Sequence, residues 1–273
     1  MKWLCFNGTF FNSDQPVISA GNKSYRYGDG FFETLRVHQS HIPLKAYHKK
    51  RIVKSLALLN YTLPDNVTID LVFEKLLELC ALNRCNNSAR VRLSFSHGDG
   101  TLFENKALHY LIEADAFPPP AVTRSAGLFL GVFDAIRKEI SPYSGLKLAS
   151  GFIYSRAAQY CAAQQLDDVI ILNTYGRLIE SVISNIFWIR DGQLFTPPVN
   201  EGCVEGVFRS YLLNNAPLIV QQPCTTDDLK NAEELFLTNA LRGIRSVQSF
   251  QGALYRTQQT QALLQQHLSH LFP

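Results

Sequence analysis

The run Phe117-Pro118-Pro119-Pro120 is the strongest constraint on how this chain folds. Proline lacks an amide hydrogen and fixes φ, so consecutive prolines are excluded from helix and sheet interiors and favour a stiff, extended connection. The run therefore predicts a domain boundary: an N-terminal α/β domain over residues 1–117, a linker over 118–124 and a C-terminal domain over 125–273. The length of 273 residues agrees, since roughly 150 residues make a typical domain. Hydrophobic residues are 46% and charged residues 18% of the chain. That composition excludes disorder and supplies enough apolar surface to build cores without disulfide staples.

Periodicity on both sides of the prolines predicts mixed α and β structure. Residues 3–10 read as a strand, and residues 31–38 as another after the turn Gly28-Asp29-Gly30. Helices are expected over 45–60 and 68–82, and strands over 89–96 and 107–114. In the second half, strands are expected over 126–133 and 168–172, with a helix over 151–165 between them. Asn173-Thr174-Tyr175-Gly176 reads as a turn, and Leu178–Ile189 as one long apolar strand broken near Ser184. Asp191-Gly192 signals a hairpin. Residues 206–214 read as a helix opening on a glycine, residues 234–238 as a strand, and residues 257–271 as an amphipathic helix.

The formal net charge is +3 with no Lys/Arg run, so nothing marks a nucleic-acid partner. The six cysteines are scattered and form no C-x-x-C pair, which predicts reduced thiols. No leader-like apolar segment and no 18-residue apolar stretch is present. The expectation is a soluble, cytoplasmic protein without a membrane or metal partner.

Several polar residues do not suit a bland core. On the helix over 45–60, Arg51 shares one arc with His48, Ile52, Ser55 and Leu59, while Lys49, Lys50 and Lys54 lie elsewhere. A buried guanidinium needs an anion, either a carboxylate of the protein or a ligand phosphate. Lys147 stands between Leu146 and Leu148. It either snorkels to water or is a desolvated amine able to form a Schiff base. Glu180 lies in the apolar Leu178–Ile183 run and needs an internal Arg or Lys, or a protonated ring nitrogen. Two segments could cradle an anion: Glu205-Gly206-Val207-Phe208 at a helix start, and Thr238-Asn239 at a strand end.

Taken in order, Gly28-Asp29-Gly30-Phe31-Phe32-Glu33, His48 with Arg51, Lys147, Glu180 with Ser184-Asn185, Gly206-Val207-Phe208-Arg209 and Leu237-Thr238-Asn239 resemble the class IV pyridoxal-phosphate family. That family comprises branched-chain and D-amino acid aminotransferases and 4-amino-4-deoxychorismate lyases. The resemblance runs from about residue 3 to 270. It implies a two-domain fold of type IV, like D-amino acid aminotransferase, with the cofactor pyridoxal 5'-phosphate between the domains, and a homodimer. Lys147 would be the catalytic residue, joined to the cofactor as a Schiff base and acting as general acid and base. Arg51 would hold the phosphate, with the backbone N–H groups of Val207 and Phe208 and with Thr238. Glu180 would pair with the pyridine nitrogen, and Ser184 and Asn239 complete the cofactor set.

Among the members, the segment Thr238–Arg245 and the bulky Phe208 are most similar to the lyases, which convert 4-amino-4-deoxychorismate to 4-aminobenzoate and pyruvate for folate synthesis. Phe32 stands where D-amino acid aminotransferases carry a carboxylate-binding tyrosine. Glu33-Thr34-Leu35-Arg36 resembles the branched-chain aminotransferases instead. Ser150 replaces an asparagine common in the family three residues after the lysine, and Ser96–Gly100 lacks the arginine-rich loop often seen in the lyases, so an aminotransferase using 2-oxoglutarate is the alternative. Candidates to meet substrate carboxylates are Arg26, Arg36, Arg92 and Arg242, with Phe32 beside them.

Overall fold

The computed structural model describes residues 1–104, 107–119, 127–216 and 218–271. The chain forms two compact units, and the first contains Met1–Pro119 together with Leu146–Gly151. The second holds the rest of the described chain. Of the linker expected over 118–124, residues 120–124 lie outside the described residues. Leu146–Gly151, read from sequence as part of the second domain, joins the first unit for a backbone reason. The Phe32 amide donates to the Lys147 carbonyl (2.9 Å), the Ala149 amide donates to the Gly30 carbonyl (2.8 Å), and Leu148 bridges Phe31.

In the first unit, β1 (Trp3–Phe6) and β2 (Thr9–Asn12) form a hairpin where a single strand over 3–10 was expected. Asn7 and Gly8 take φ of 49° and 85°, the two left-handed residues that a tight hairpin turn requires. Helix α1 (Lys23–Tyr27) was not foreseen. The strands and helices β3 (Phe31–His38), α2 (Lys45–Leu58), α3 (Ile69–Leu82), β4 (Ser88–His97) and β5 (Leu108–Ala116) follow their expected ranges closely. The five strands make an antiparallel sheet in the order β2-β1-β5-β4-β3.

Period-two alternation decides what each sheet face does. Phe31, Leu35, Val91, Leu93 and Phe95 point to the buried face, where Ile52 of α2 and Val72, Phe73 and Leu76 of α3 join them in one core. Thr68 starts α3 by accepting a hydrogen bond from the Leu71 amide (3.2 Å). Phe32, Arg36, Arg92 and Ser94 are carried on the alternate positions.

The second unit begins with β6 (Leu128–Lys138), α4 (Phe152–Ala163) and β7 (Asp168–Asn173), the strands parallel. The apolar run over 178–189, expected to break near Ser184, forms two strands, β8 (Leu178–Ser181) and β9 (Asn185–Arg190). β10 (Gln193–Thr196) pairs with β9 across the expected Asp191-Gly192 turn. A turn of 3-10 helix (Val199–Glu201) precedes α5 (Val207–Asn215). Then come β11 (Ile219–Gln221), α6 (Thr226–Lys230), β12 (Glu234–Asn239), β13 (Gly243–Phe250), β14 (Ala253–Leu254) and α7 (Gln258–Leu271).

The sheet runs β11-β10-β9-β12-β13-β6-β7-β8, and β8 returns to β9 through the pair Glu180↔Asn185. This pair closes β9, β12, β13, β6, β7 and β8 into a ring. Ile170, Ile186, Trp188, Leu235 and Val247 share one core cluster there. Strands buried on both sides read as continuous apolar runs, which is why β7 shows no alternation. The six cysteines are free and buried. No helix among the described residues is long and apolar enough to cross a membrane.

Candidate active site

In the first unit, the leucines around Lys147 settle its backbone. Leu146 is buried and Leu148 packs on the core, and the bonds to Gly30 and Phe32 hold the segment against β3. Lys147 is half-buried, with its Nζ 4.6 Å from the centroid of the Phe32 ring. The same ring carries the Arg92 guanidinium, whose central carbon lies 3.7 Å from the centroid. Arg92 also donates from Nε to Ser94 Oγ (3.2 Å). Burial lowers the Arg92 pKa, Glu113 opposes that shift and Arg90 reinforces it. A desolvated guanidinium is suited to receive an anionic group.

The four candidate arginines therefore separate. Arg92 is the one placed on the ring that Lys147 covers. Arg36 is buried, donating from Nη2 to Ser88 Oγ (3.0 Å) and to the Pro118 carbonyl (2.5 Å), with burial lowering its pKa to about 10. These partners give Arg36 a structural duty. Arg26 is exposed and donates to the Ala20 carbonyl (3.1 Å). Arg242 is an exposed turn residue of the second unit, where its amide donates to Asn239 Oδ1 (2.8 Å).

Arg51 meets an anion of the protein itself. Its Nε and Nη2 donate to the two carboxylate oxygens of Glu33 at 2.7 and 2.6 Å, and His48 donates from Nδ1 to Oε2 (2.6 Å). Burial alone would raise the Glu33 pKa. The Arg51 and His48 charges and hydrogen bonds outweigh it and hold the carboxyl at about 2. Glu33 thus stays ionised and fixes the plane of the guanidinium. His48 was visible as an arc neighbour of Arg51 and Glu33 as the end of the Gly28–Glu33 motif, but nothing local pairs Glu33 with Arg51.

In the second unit, Glu180 is buried and takes three donors. Lys138 Nζ (2.7 Å) and the Tyr154 hydroxyl (2.7 Å) reach Oε1, and the Val204 amide (2.8 Å) reaches Oε2. The internal cation expected as one alternative is Lys138, which also donates to the Ser144 carbonyl (3.0 Å). A carboxylate offers about four acceptor sites, so capacity remains at Oε2. Burial and the Glu180 charge push the Tyr154 pKa well above its ordinary value. Tyr154 keeps its proton and donates. Neither Lys138 nor Tyr154 was singled out from sequence, because each sits in a segment whose periodicity gives it no special position.

Beside Glu180 lies a cradle built from four elements. Helix α5 opens at Gly206 with no side chain capping it, so the amides of Val207 and Phe208 are orphan donors of a first turn. A Cβ on Gly206 would stand 1.8 Å from Asn185 Oδ1, and Asn185 Nδ2 donates to the Val204 carbonyl (2.8 Å). Asn185 pairs with Glu180 on one side and Thr238 on the other. The Thr238 hydroxyl is buried without a hydrogen-bond partner, a costly state for a polar group unless a ligand supplies one. Asn239 donates from Nδ2 to Ser184 Oγ (3.0 Å), tying the strand end to the β8–β9 turn. The Phe208 ring is buried and meets Tyr211 edge-on, so Phe208 offers the cradle its backbone only. An uncapped helix start and an unsatisfied buried hydroxyl suit a phosphate, and the residues fit the group expected there.

Residues 30–250 match the family model described as amino-transferase class IV. An aminodeoxychorismate lyase of Vibrio harveyi is 26% identical over 248 residues, covering 85% of this chain and 87% of that protein. A branched-chain-amino-acid aminotransferase of Escherichia coli (strain K12) is 25% identical over 274 residues, covering 92% of this chain and 85% of the relative. Among solved structures, 4-amino-4-deoxychorismate lyase from Pseudomonas aeruginosa superposes with a TM-score of 0.83 at 22% identity, covering 98% of each chain. A branched-chain amino acid aminotransferase from Escherichia coli gives 0.87 at 20%, covering 99% of this chain and 94% of the other. The structural matches show a shared mixed α/β fold, the fold-type IV architecture.

Proposed function

The chain belongs to the class IV aminotransferase family, whose cofactor is pyridoxal 5'-phosphate, and from that premise we propose that it is the lyase that converts 4-amino-4-deoxychorismate to 4-aminobenzoate and pyruvate. The observation that carries the reading is the shared Phe32 ring: the Lys147 amine and the Arg92 guanidinium converge on it. The Lys147 amine, able to move protons, and the Arg92 guanidinium, a cation for a carboxylate of the substrate, are then both anchored on one ring. The segment Thr238–Arg245, similar to that of the lyases, supports the same member. The feature that favoured an aminotransferase loses weight, because Glu33 and Arg36 are committed to Arg51, Ser88 and Pro118.

Bound pyridoxal phosphate supplies an electron sink that acidifies the C–H bond beside the substrate nitrogen. Lys147 is the residue whose Nζ would hold the cofactor aldehyde. The same amine would serve as the base for the proton on the substrate carbon that bears the nitrogen. The same Nζ returns a proton to the departing enolpyruvate, which becomes pyruvate while the six-membered ring turns aromatic. In the second unit the Val207 and Phe208 amides and Thr238 would bind the phosphate, Ser184 and Asn239 would shape the cradle, and Glu180 would keep the pyridine nitrogen protonated. Phe32 and Arg92 orient the dianionic substrate. The proposal extends to a homodimer in the cytoplasm.

The deciding assay uses protein loaded with pyridoxal phosphate. With 4-amino-4-deoxychorismate alone it should release pyruvate and 4-aminobenzoate in equal amounts, and Lys147→Ala should release neither while remaining folded. No pyruvate from the authentic substrate, together with glutamate formed from 2-oxoglutarate and a branched-chain amino acid, would make the protein the aminotransferase that the Escherichia coli relative is named for.

A further inference from the structure

Asp29 stands between two glycines that leave the chain no latitude. Gly28 has φ of 66°, and a Cβ there would lie 3.1 Å from Ser150 Cβ. Gly30 has φ of 144°, and a Cβ would lie 2.5 Å from the Phe95 carbonyl oxygen. The turn is thus pressed between β4 and the segment that carries Lys147. Asp29 is held by groups from three other places in the first unit. The Tyr61 hydroxyl donates to Oδ1, His97 Nδ1 lies 3.2 Å from Oδ2 and Lys23 Nζ lies 3.6 Å from Oδ2. The Tyr61 and His97 rings meet edge-on at 4.3 Å, and Lys23 also donates to the Glu104 carbonyl (3.0 Å). Burial would raise the Asp29 pKa, but these donors hold it below the ordinary range. The turn leads straight into the backbone bonds that clamp the reactive lysine, Ala149 to Gly30 and Phe32 to Lys147.

We infer that Asp29 is a positioning residue for Lys147: tethered by Tyr61, His97 and Lys23, it fixes the start of β3 and so the main chain on which the Lys147 amine is mounted over Phe32. The inference rests on the reading of Lys147 as the cofactor-bearing amine. Asp29 itself touches no reacting group. Its loss acts on the turnover step and not on substrate affinity, because a small misplacement of a reacting group costs rate steeply.

The test compares holoenzyme wild type with Asp29→Asn, Tyr61→Phe and a core control, Val72→Ala, which lies in α3. Asp29→Asn should lower kcat about tenfold with KM nearly unchanged, and should speed hydrogen exchange at the Phe32 and Ala149 amides about tenfold. Tyr61→Phe should move both readouts in the same direction by less. Val72→Ala should lower Tm and move neither. Unchanged kcat and unchanged exchange in both turn variants would overturn the inference, as would a loss in Val72→Ala equal to theirs. If Asp29→Asn fails to fold, Tyr61→Phe and His97→Gln decide by the same readouts. Borohydride reduction and peptide mapping of the wild type separate the two levels. A pyridoxyl group found away from Lys147 ends the functional reading, while the exchange data still judge the tether.

Discussion

Glu33 is a buried carboxylate whose hydrogen-bond partners are a guanidinium and an imidazole of the protein itself. It is nearly inaccessible, and it neutralises Arg51 while accepting from His48. Glu33→Gln leaves the guanidinium buried and uncompensated, and should destabilise the protein by about 3–5 kcal/mol at neutral pH. Its lowered pKa also sets a sign. The unfolded carboxyl titrates above the folded one, so its contribution is complete above the unfolded pKa and is lost as pH falls towards about 2. Urea midpoints taken at about pH 6 and about pH 3 should fall further apart in wild type than in Glu33→Gln. Thr238 should behave in the opposite way. Thr238→Val removes an unpartnered buried hydroxyl, so the cofactor-free protein should gain up to about 1 kcal/mol, while pyridoxal phosphate should bind about tenfold more weakly. Calorimetry without cofactor and a fluorescence titration with it measure the two effects separately. At Glu180, substitution by Gln keeps an acceptor for Lys138 but cannot hold the pyridine proton. Turnover should drop more than cofactor retention, and a spectrophotometric titration beside the assay compares them.

Helix α5 and strand β9 meet so closely that their sequences are coupled. The Gly206 position admits no Cβ against Asn185, so Gly206→Ala should cost about 1–3 kcal/mol through overpacking. Adding Asn185→Ala should return part of it, since contacting residues do not act additively. Differential scanning calorimetry of the three variants checks both. The same contact explains what could be read in advance. The expected helix over 206–214 and the strand over 234–238 matched α5 and β12, because a glycine start and an apolar run are local signals. The uncapped start and the idle hydroxyl are meaningful only once Asn185 of β9 lies beside them, from 21 residues away in one case and 53 in the other. Lys138 was invisible for the same reason: nothing near it announces that Glu180, forty-two residues on, will be its partner. Short elements such as α1, β11 and β14 carry too few periods to register. The apolar residues of 3–10 continue on both sides of Asn7-Gly8, so composition alone does not mark the hairpin that their left-handed backbone makes.

Across the two units, Lys147, Arg92 and Arg51 belong to one, and Glu180, Thr238 and Gly206 to the other. Saturation with pyridoxal phosphate should stabilise the folded protein through mass action, by about 2.7 kcal/mol at a hundredfold excess over Kd. Pyridoxal lacking its phosphate should give much less, because the α5 cradle would have nothing to grip. Thermal melts with each compound supply the comparison, and light scattering on the loaded protein checks the proposed homodimer.

The strip Leu146–Gly151 is a stitch from later in the chain sewn onto the margin of the first sheet. A gene cut after the proline run would therefore yield not an independent module but a garment with one seam open. The missing piece would bare the Gly30–Phe32 backbone, and an unpaired strand margin recruits other copies. Such a fragment should precipitate or self-associate, and a synthetic peptide spanning 145–152 added in trans should restore its solubility.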